Sequence, residues 1–251
     1  MKQKKIAVLF MTVILSVSLI VGCQNKEKQA PNNSANSAVV SDNTDNNADK
    51  NEAEANQLMA DLAGTYQELW PVVFADDYES IWLNDSAALV GEEYAQAAVQ
   101  KLKSMVTADI YGEEAVTAYT ENPESMAYDC SFAEGLKRLT FDGMTISGVD
   151  EQGNALFSHT YHYIGIEELR GLYEFESDDA DSNEFTYFFL APDTSDTTYH
   201  IEFRYGADKA ALESYDSGDY AYWLPSGISV DYDQTMIKNC IQLFCEENLA
   251  G

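Results

Sequence analysis

A histidine and a glutamate stand two residues apart near the end of the chain, in the stretch TYHIEFRYG over residues 198–206. Imidazole nitrogen and carboxylate oxygen are both donors that zinc accepts, at about 2.0 to 2.2 Å. Because successive side chains of a strand point to opposite faces, His200, Glu202 and Arg204 would share one face. The pattern predicts either two ligands of a metal site or the solvated face of an ordinary strand, with an ion pair between Glu202 and Arg204.

A zinc site needs at least one further protein donor, and two other stretches offer candidates. SHTYHY contains His159 and His162, which are three residues apart and would point to opposite faces of a strand. Only one of these two can reach the interior; we take His162 as the predicted third ligand and His159 as the alternative. In LYEFES, Glu174 and Glu176 share a face and could supply a carboxylate instead.

No stretch of the sequence contains a recognised catalytic motif. We find no glycine-rich phosphate loop after a strand and no Gly-x-Ser-x-Gly or Ser-x-x-Lys motif around a serine. The run DDADSNE spaces its acidic residues as a calcium loop does, but Glu184 stands where that loop needs glycine and Leu190 where it needs glutamate. We therefore predict a solvated turn at DDADSNE and a protein that is not an enzyme.

The stretches that contain these residues alternate between inward-facing and outward-facing side chains with a period of two, which predicts strands. Five runs rich in β-branched and aromatic residues follow one another, separated by turn-rich stretches such as DEQGN and PDTSD. The runs are RLTFDGMTISG, ALFSHTYHY, GLYEFES, FTYFFLA and TYHIEFRY. Because the connections are short, this order predicts an antiparallel meander that curls into a barrel or half-barrel.

Helical spacing precedes the strand region. In ANQLMADLAGTYQELWPVV, the apolar residues Leu58, Leu62, Tyr66 and Leu69 predict one helix, which Pro71 ends.

Two further helices are predicted on either side of the strands. EEYAQAAVQKLKSMV has an apolar side that includes Tyr94 and Leu102, and residues 107–135 after it give weak signals for short helices and loops. DQTMIKNCIQLFCEENL predicts a last helix, for which Asp233 is a suitable N-cap.

The start of the chain carries a targeting signal. Three lysines are followed by an apolar run shorter than the roughly 20 residues of a membrane-spanning helix, which is typical of an export signal; a retained helical anchor is the alternative. The stretch IVGC resembles a bacterial lipobox, which implies lipidation of Cys23. We predict a signal peptide over residues 1–22, a disordered Asn-rich tether over 23–54 and one folded domain over 55–251, outside the cytoplasm and lipid-anchored to the cell membrane.

The chain is strongly acidic. Its formal net charge is −29, and loss of the three leader lysines would bring it to −32. Such a surface repels nucleic acid, so we exclude nucleic-acid binding, and it concentrates cations around the protein. Composition does not decide whether the acidity serves cation handling or only solubility.

Three cysteines remain if Cys23 carries lipid. Cys240 and Cys245 in CIQLFC would lie roughly 8 to 9 Å apart on a helix, too far for a direct bridge. The sequence is compatible with one disulfide from Cys130 to either of them, or with three buried free thiols, and we propose no zinc–cysteine site from it.

Several stretches occur in an order and spacing that resemble the ZinT/YodA family of extracytoplasmic zinc-binding proteins. They are DLAGTYQELWP, HYIGIEEL followed by GLYEFE, FTYFFLAPD, YHIEFRYG and GDYAYWLP. The resemblance covers roughly residues 58–230, with a poor match over 75–135. It implies a lipocalin-like (calycin) antiparallel β-barrel with flanking helices, hence an α+β, mainly β fold.

The family holds zinc with three histidines, one on the strand before an Ala-Pro pair and two as His-x-His on the next strand. On this chain those positions fall on Phe188, His200 and Glu202. The resemblance implies a lipoprotein that binds zinc or a similar divalent ion and assists a zinc ABC importer. Because Phe188 replaces a ligand, the alternative is a barrel that has lost its metal and binds a small apolar ligand or a protein partner.

Overall fold

The computed structural model describes residues 45–191 and 200–250. Within these ranges eight strands follow in chain order, and each is antiparallel to the next. They are β1 (Gly64–Glu68), β2 (Arg138–Asp142), β3 (Thr145–Val149), β4 (Ala155–Ile166), β5 (Tyr173–Ser177), β6 (Tyr187–Leu190), β7 (His200–Gly206) and β8 (Ser226–Ser229).

The sheet closes on itself through β1. On one side of this strand Tyr66 stands opposite Leu139 of β2, and on the other it stands opposite Ser229 of β8. An up-and-down barrel of eight antiparallel strands is the lipocalin architecture, and helices flank it here. The predicted fold class, an α+β and mainly β lipocalin-like barrel, is therefore confirmed.

The sequence analysis missed three strands, and two of these omissions have a local cause. RLTFDGMTISG forms both β2 and β3, because Gly143 turns the chain with a φ of 57°, a left-handed conformation that favours glycine. The last strand, β8, has only four residues and contains Gly227, which is too short a run for a period of two to be recognised.

The third missed strand, β1, corrects the first predicted helix. That helix ends at Asp61, and residues 64–68 are extended. The cause is the packing of Tyr66 in the barrel interior, where its ring meets the ring of Phe141 edge to face, with centroids 5.7 Å apart. Pro71 does not end the pattern either, since it lies inside a short helix that follows β1 directly. A proline is tolerated in the first turn of a helix, where its missing N–H has no intrahelical partner.

Aromatic rings fill the barrel interior. Phe188 of β6 lies parallel to Tyr205 with ring centroids 5.3 Å apart, and it meets Tyr161 edge to face at 5.4 Å. Phe203 stacks on both Phe188 and Tyr205. All four side chains are essentially inaccessible to solvent. Packed rings of this kind dominate core stabilisation.

The first helix, α1 (Asp45–Asp61), contributes to the same core. Ala55, Met59 and Leu62 are buried among the barrel side chains, at 0%, 0% and 1% exposure. The helix packs against β2 and β4. Residues 45–54 of the predicted tether are thus helical, and the rest of that tether, with the signal peptide and Cys23, lies outside the described residues.

The remaining helices are α2 (Leu69–Val73), α3 (Glu79–Val90), α4 (Glu92–Val106), α5 (Gly112–Glu121), α6 (Lys209–Leu212) and α7 (Gln234–Leu249). Four of them, α2, α3, α4 and α7, build most of a second apolar cluster on the outside of the barrel. The predicted cap of the last helix is confirmed, since the Asp233 carboxylate accepts the Met236 N–H at 2.9 Å. In the second predicted helix, α4, Leu102 is buried as expected, but Tyr94 is 53% exposed.

Among the described residues, no helix has both the length and the apolar character needed to cross a membrane.

Replacing Phe188 by alanine tests the role of the ring stack. We expect the free energy of unfolding to fall by about 3 to 5 kcal/mol, because the substitution leaves a cavity among rings that cannot collapse into it. Urea unfolding measures the change, with Tyr94→Ala as an exposed control that should shift stability by less than about 0.5 kcal/mol. A small loss for Phe188→Ala would show that the interior is loosely packed.

Candidate metal-binding site

His200 and Glu202 lie on the outer wall of the barrel. Along β7, Ile201 and Phe203 point into the barrel core, so the alternate residues His200 and Glu202 point outward, on the shared face that the period of two predicts. Both are partly buried. The site that they could form therefore faces outward and not into the interior of the barrel.

The neighbouring strand fixes what this outward face meets. His200 stands opposite Ile228 and Glu202 opposite Ser226 of β8. Ile228 is fully buried in the outer helical cluster, together with Trp70 of α2. His200 and Glu202 thus lie along the seam between the barrel wall and the helices packed on it.

A buried thiol, Cys130, lies across Ser226 of β8 from Glu202. Cys130 is 5% exposed, and the Ser226 N–H donates to its carbonyl oxygen at 3.1 Å. Burial raises the pKa of the Cys130 thiol and the negative charge of Glu202 raises it further, whereas Trp70 and Ser226 lower it. No single stretch of the sequence predicts the pairing of Cys130 with Ser226, because the two residues are far apart in the chain.

Arg204, the third residue of the outer face, holds the chain that follows β7. Its guanidinium donates to the carbonyl oxygens of Leu212, Ser214 and Tyr220 and lies 4.3 Å from the centroid of the Tyr215 ring. Arg204 is fully buried, and burial lowers its pKa. Through these contacts Arg204 stabilises the conformation of the segment between β7 and β8.

His162, the predicted third ligand, lies on β4. Three strand spacings separate β4 from β7, which is about 14 Å along the sheet. The side chain is 53% exposed, and its Nδ1 is 2.7 Å from Asp178 Oδ1. The structure therefore brings His200 and Glu202 together without bringing His162 to them.

His159, the alternative third ligand, faces the other way. Its ring stacks on Phe157, a core residue, at 5.8 Å, and its Nδ1 is 3.0 Å from Asp179 Oδ2. The two histidines of β4 thus point to opposite faces, as their spacing predicts, and each is paired with an aspartate.

Glu174 and Glu176 share the outer face of β5, again as the spacing predicts. Glu174 is 3% exposed and accepts a charge-assisted hydrogen bond from Lys209 Nζ at 2.9 Å. Burial raises the pKa of Glu174, although Lys209 opposes the shift. Glu176 accepts the Tyr187 hydroxyl at 3.3 Å. Both carboxylates therefore form hydrogen bonds with neighbouring residues, Glu174 with Lys209 and Glu176 with Tyr187.

The strand register separates Phe188 from the pair on β7. Phe188 stands opposite Tyr205, whose ring points inward, whereas the outward neighbour on β6 is Phe189, opposite Arg204. Phe188 thus points away from His200 and Glu202, and the three positions given by the family resemblance do not share a face. An aromatic core residue at position 188 is what the barrel interior requires.

Among residues 45–191 and 200–250, no three His, Cys, Asp or Glu side chains are already arranged around a single metal position. What the described chain offers is an imidazole and a carboxylate on one strand face. The fold and this seam define a class: an eight-stranded lipocalin-like barrel with a histidine–carboxylate pair on its outer wall.

Comparison with known proteins adds two structural likenesses. No family model and no curated protein matches the sequence. The chain is similar to the Zn(II)-bound ZinT-like domain of Streptococcus pneumoniae AdcA, with 16% identity and a TM-score of 0.44 over 73% of this chain and 87% of that one. It is also similar to Zn(II)-bound AdcA from the same organism, with 17% identity and a TM-score of 0.40; the match covers 73% of this chain and only 34% of that one. Both likenesses are weak.

The buried carboxyl of Glu174 predicts a pH dependence. Because its pKa is raised in the folded state, its protonation favours folding; this contribution is complete below the unfolded-state value of about 4.3 and is lost as the pH rises through the folded-state value. The stability of the unmodified chain relative to Glu174→Gln should therefore increase as the pH falls from about 7 to the unfolded-state value of about 4.3, as measured by urea unfolding. Glu213→Gln, which removes the exposed partner of the same lysine, is the comparison variant, and an equal increase relative to it would contradict the assignment to Glu174.

The three described cysteines form no disulfide with one another and are buried. Burial raises the pKa of Cys240 to about 12 and that of Cys245 to about 11, so their thiols are protonated and shielded at neutral pH. In a chain from residue 23 onwards with Cys23→Ser, we expect no thiol to react with Ellman's reagent before unfolding and three after it. Tyr94→Cys supplies a reactive control, and a count of one after unfolding would show a disulfide.

Proposed function

We propose that this protein binds a divalent cation, zinc above all, through His200 and Glu202 on the outer wall of the barrel. The observation that carries the proposal is the placement of an imidazole and a carboxylate on one face of β7, partly buried in the seam with the helices. Partial burial strengthens the attraction between a carboxylate and a cation. The resemblance of the sequence to the ZinT/YodA family supports zinc as the ion.

The donor set influences which ions compete. One imidazole and one carboxylate discriminate less sharply against manganese and other harder ions than three imidazoles would. The net charge of −29 raises the concentration of every cation near the surface. Zinc preference therefore needs a further nitrogen or sulfur donor. The sequence predicts His162 for that role, but its position three strands from β7 makes it the control of the titration below.

We further propose that the protein works outside the cytoplasm, held to the membrane by lipid on Cys23, and passes its ion to a zinc ABC importer. The lipobox-like IVGC sequence supports the anchor. A Cys23→Ser variant tests it directly: metabolic labelling with a fatty acid should mark the unmodified protein and not the variant, and equal labelling would place the lipid elsewhere.

The alternative, a barrel that binds a small apolar ligand in its interior, lacks a supporting observation. Phe188, Phe203 and Tyr205 occupy the space that such a ligand would need. Small-molecule sites are open concave pockets, and a set of stacked rings is not one.

Zinc titration by calorimetry tests the metal proposal. We expect the chain from residue 23 onwards, with Cys23→Ser, to bind one zinc ion with a dissociation constant of roughly micromolar or lower. His200→Ala and Glu202→Gln should each weaken binding about tenfold or more, because each removes one donor.

His162→Ala is the matched control on the same barrel. From the separation of β4 and β7 we expect zinc affinity to stay unchanged in this variant. A loss equal to that of His200→Ala would make His162 the third ligand. Absence of any zinc binding, or binding that His200→Ala leaves intact, would overturn the proposed function.

A further inference from the structure

The first half of β4 has a neighbouring strand on one side only. β4 has 12 residues, whereas β5 has 5. The pairing with β3 covers residues 155–160 of β4, and the pairing with β5 covers residues 161–166. Beyond the end of β5 the chain turns away into a short 3-10 helix, Asn183–Phe185. One edge of β4 over residues 155–160 is therefore not covered by another strand.

The backbone of Ser158 faces this open edge. The Tyr161 N–H donates to the Met144 carbonyl at 2.8 Å, so odd-numbered residues of this half direct their backbone groups toward β3. From the other side the Asp178 N–H donates to the Thr160 carbonyl, also at 2.8 Å, so even-numbered residues direct theirs toward β5. On that side no described residue forms a backbone hydrogen bond with Ser158. Its N–H and carbonyl are open to pairing with another chain.

The outer face beside this edge is also uncovered. Leu156, Ser158 and Thr160 are exposed, and Leu156 keeps 39% of its surface accessible. An extended segment that paired with Ser158 would lay its own side chains in line with those of Leu156 and Thr160. Proteins bind peptides at open sheet edges in this way, with affinity from main-chain hydrogen bonds and selectivity from alternate side chains.

Carboxylates lie at both ends of the open edge, in the turn before β4 and in the loop after β5. They are Asp150, Glu151, Asp178, Asp179 and Asp181. Among the described residues, no lysine or arginine forms an ion pair with any of the five. The surroundings of the edge are therefore strongly negative.

This charge decides between two kinds of occupant. A second copy of the chain would bring the same carboxylates to the same edge, and like charges oppose such a pairing. A basic segment would instead meet opposite charge at both ends of the edge. The carboxylates thus disfavour self-association and favour a basic partner.

We propose that the open edge of β4 at Ser158 binds an extended, lysine- or arginine-rich segment of a protein partner, which adds one short strand to the barrel. The backbone of this segment forms hydrogen bonds with the N–H and carbonyl of Ser158. Its basic side chains lie near the carboxylates of the two flanking segments. The interaction does not depend on zinc binding at His200 and Glu202, because three strand spacings separate β4 from β7.

A short fluorescein-labelled peptide of alternating lysine and threonine tests the proposal by fluorescence anisotropy. We expect the chain from residue 23 onwards, with Cys23→Ser, to bind it with a dissociation constant of about 0.1 mM or lower. Ser158→Pro keeps every charge but removes the N–H at the edge, where proline is tolerated because no ladder bond is lost. It should weaken binding about tenfold, whereas the matched control Ser158→Ala keeps the N–H and should retain the affinity.

The peptide itself supplies a second test, which gives an answer even if Ser158→Pro fails to fold. Methylation of all its backbone nitrogens keeps its charge and prevents strand pairing, so binding to the unsubstituted chain should weaken about tenfold. Binding that neither change weakens would be general attraction to an acidic surface and would overturn the proposal. Equal binding of a glutamate–threonine peptide would overturn the basic character of the partner.

Hydrogen exchange of the Ser158 amide, followed by NMR, locates the contact. We expect fast exchange in the free chain, because this N–H has no acceptor there, and slower exchange when the lysine–threonine peptide is added. Slow exchange in the free chain would show that the edge is already covered. Slowing that depends on protein concentration alone would assign the edge to a second copy. Either result would overturn the proposal.

Discussion

Hydrogen bonding between β8 and β1 is the constraint on which the rest of the structure depends. These two short strands join the ends of a meander into a ring, so neither end of the meander is left as an open edge. An eight-stranded ring has an interior just wide enough for side chains, and aromatic residues such as Phe188 and Phe203 fill it. Once the interior is filled in this way, these rings leave no room for a ligand between them, and His200 and Glu202 lie on the outer wall.

The outer wall is divided by what covers it. Toward β5 and β6, the wall carries Glu174 and Phe189 beneath Lys209, which forms an ion pair with the glutamate and lies over the ring. Toward β8, it carries His200 and Glu202 beside the helical cluster. The first region pairs its carboxylate with a lysine, whereas the second places a carboxylate and an imidazole on one strand face.

Local patterns predicted the parts of the fold that depend on local physics. The N-cap at Asp233 and the outward face of β7 follow from residue type and from a period of two, which act within a few residues. Tyr66 fits both a helical and an extended pattern, and only its packing against Phe141 decides between them. The pairing of Cys130 with Ser226 joins segments that are far apart in the chain, and no single stretch of the sequence encodes it.

The insertion of α1 into the barrel core sets a limit on the proposed attachment to the membrane. Because Ala55, Met59 and Leu62 belong to the core, the helix cannot be drawn out as a spacer while the domain stays folded. The proposed spacer is then the chain between Cys23 and Asp45, whose fully extended length is at most about 79 Å. An importer that received metal from this domain would have to present its entrance within that length plus the width of the folded domain.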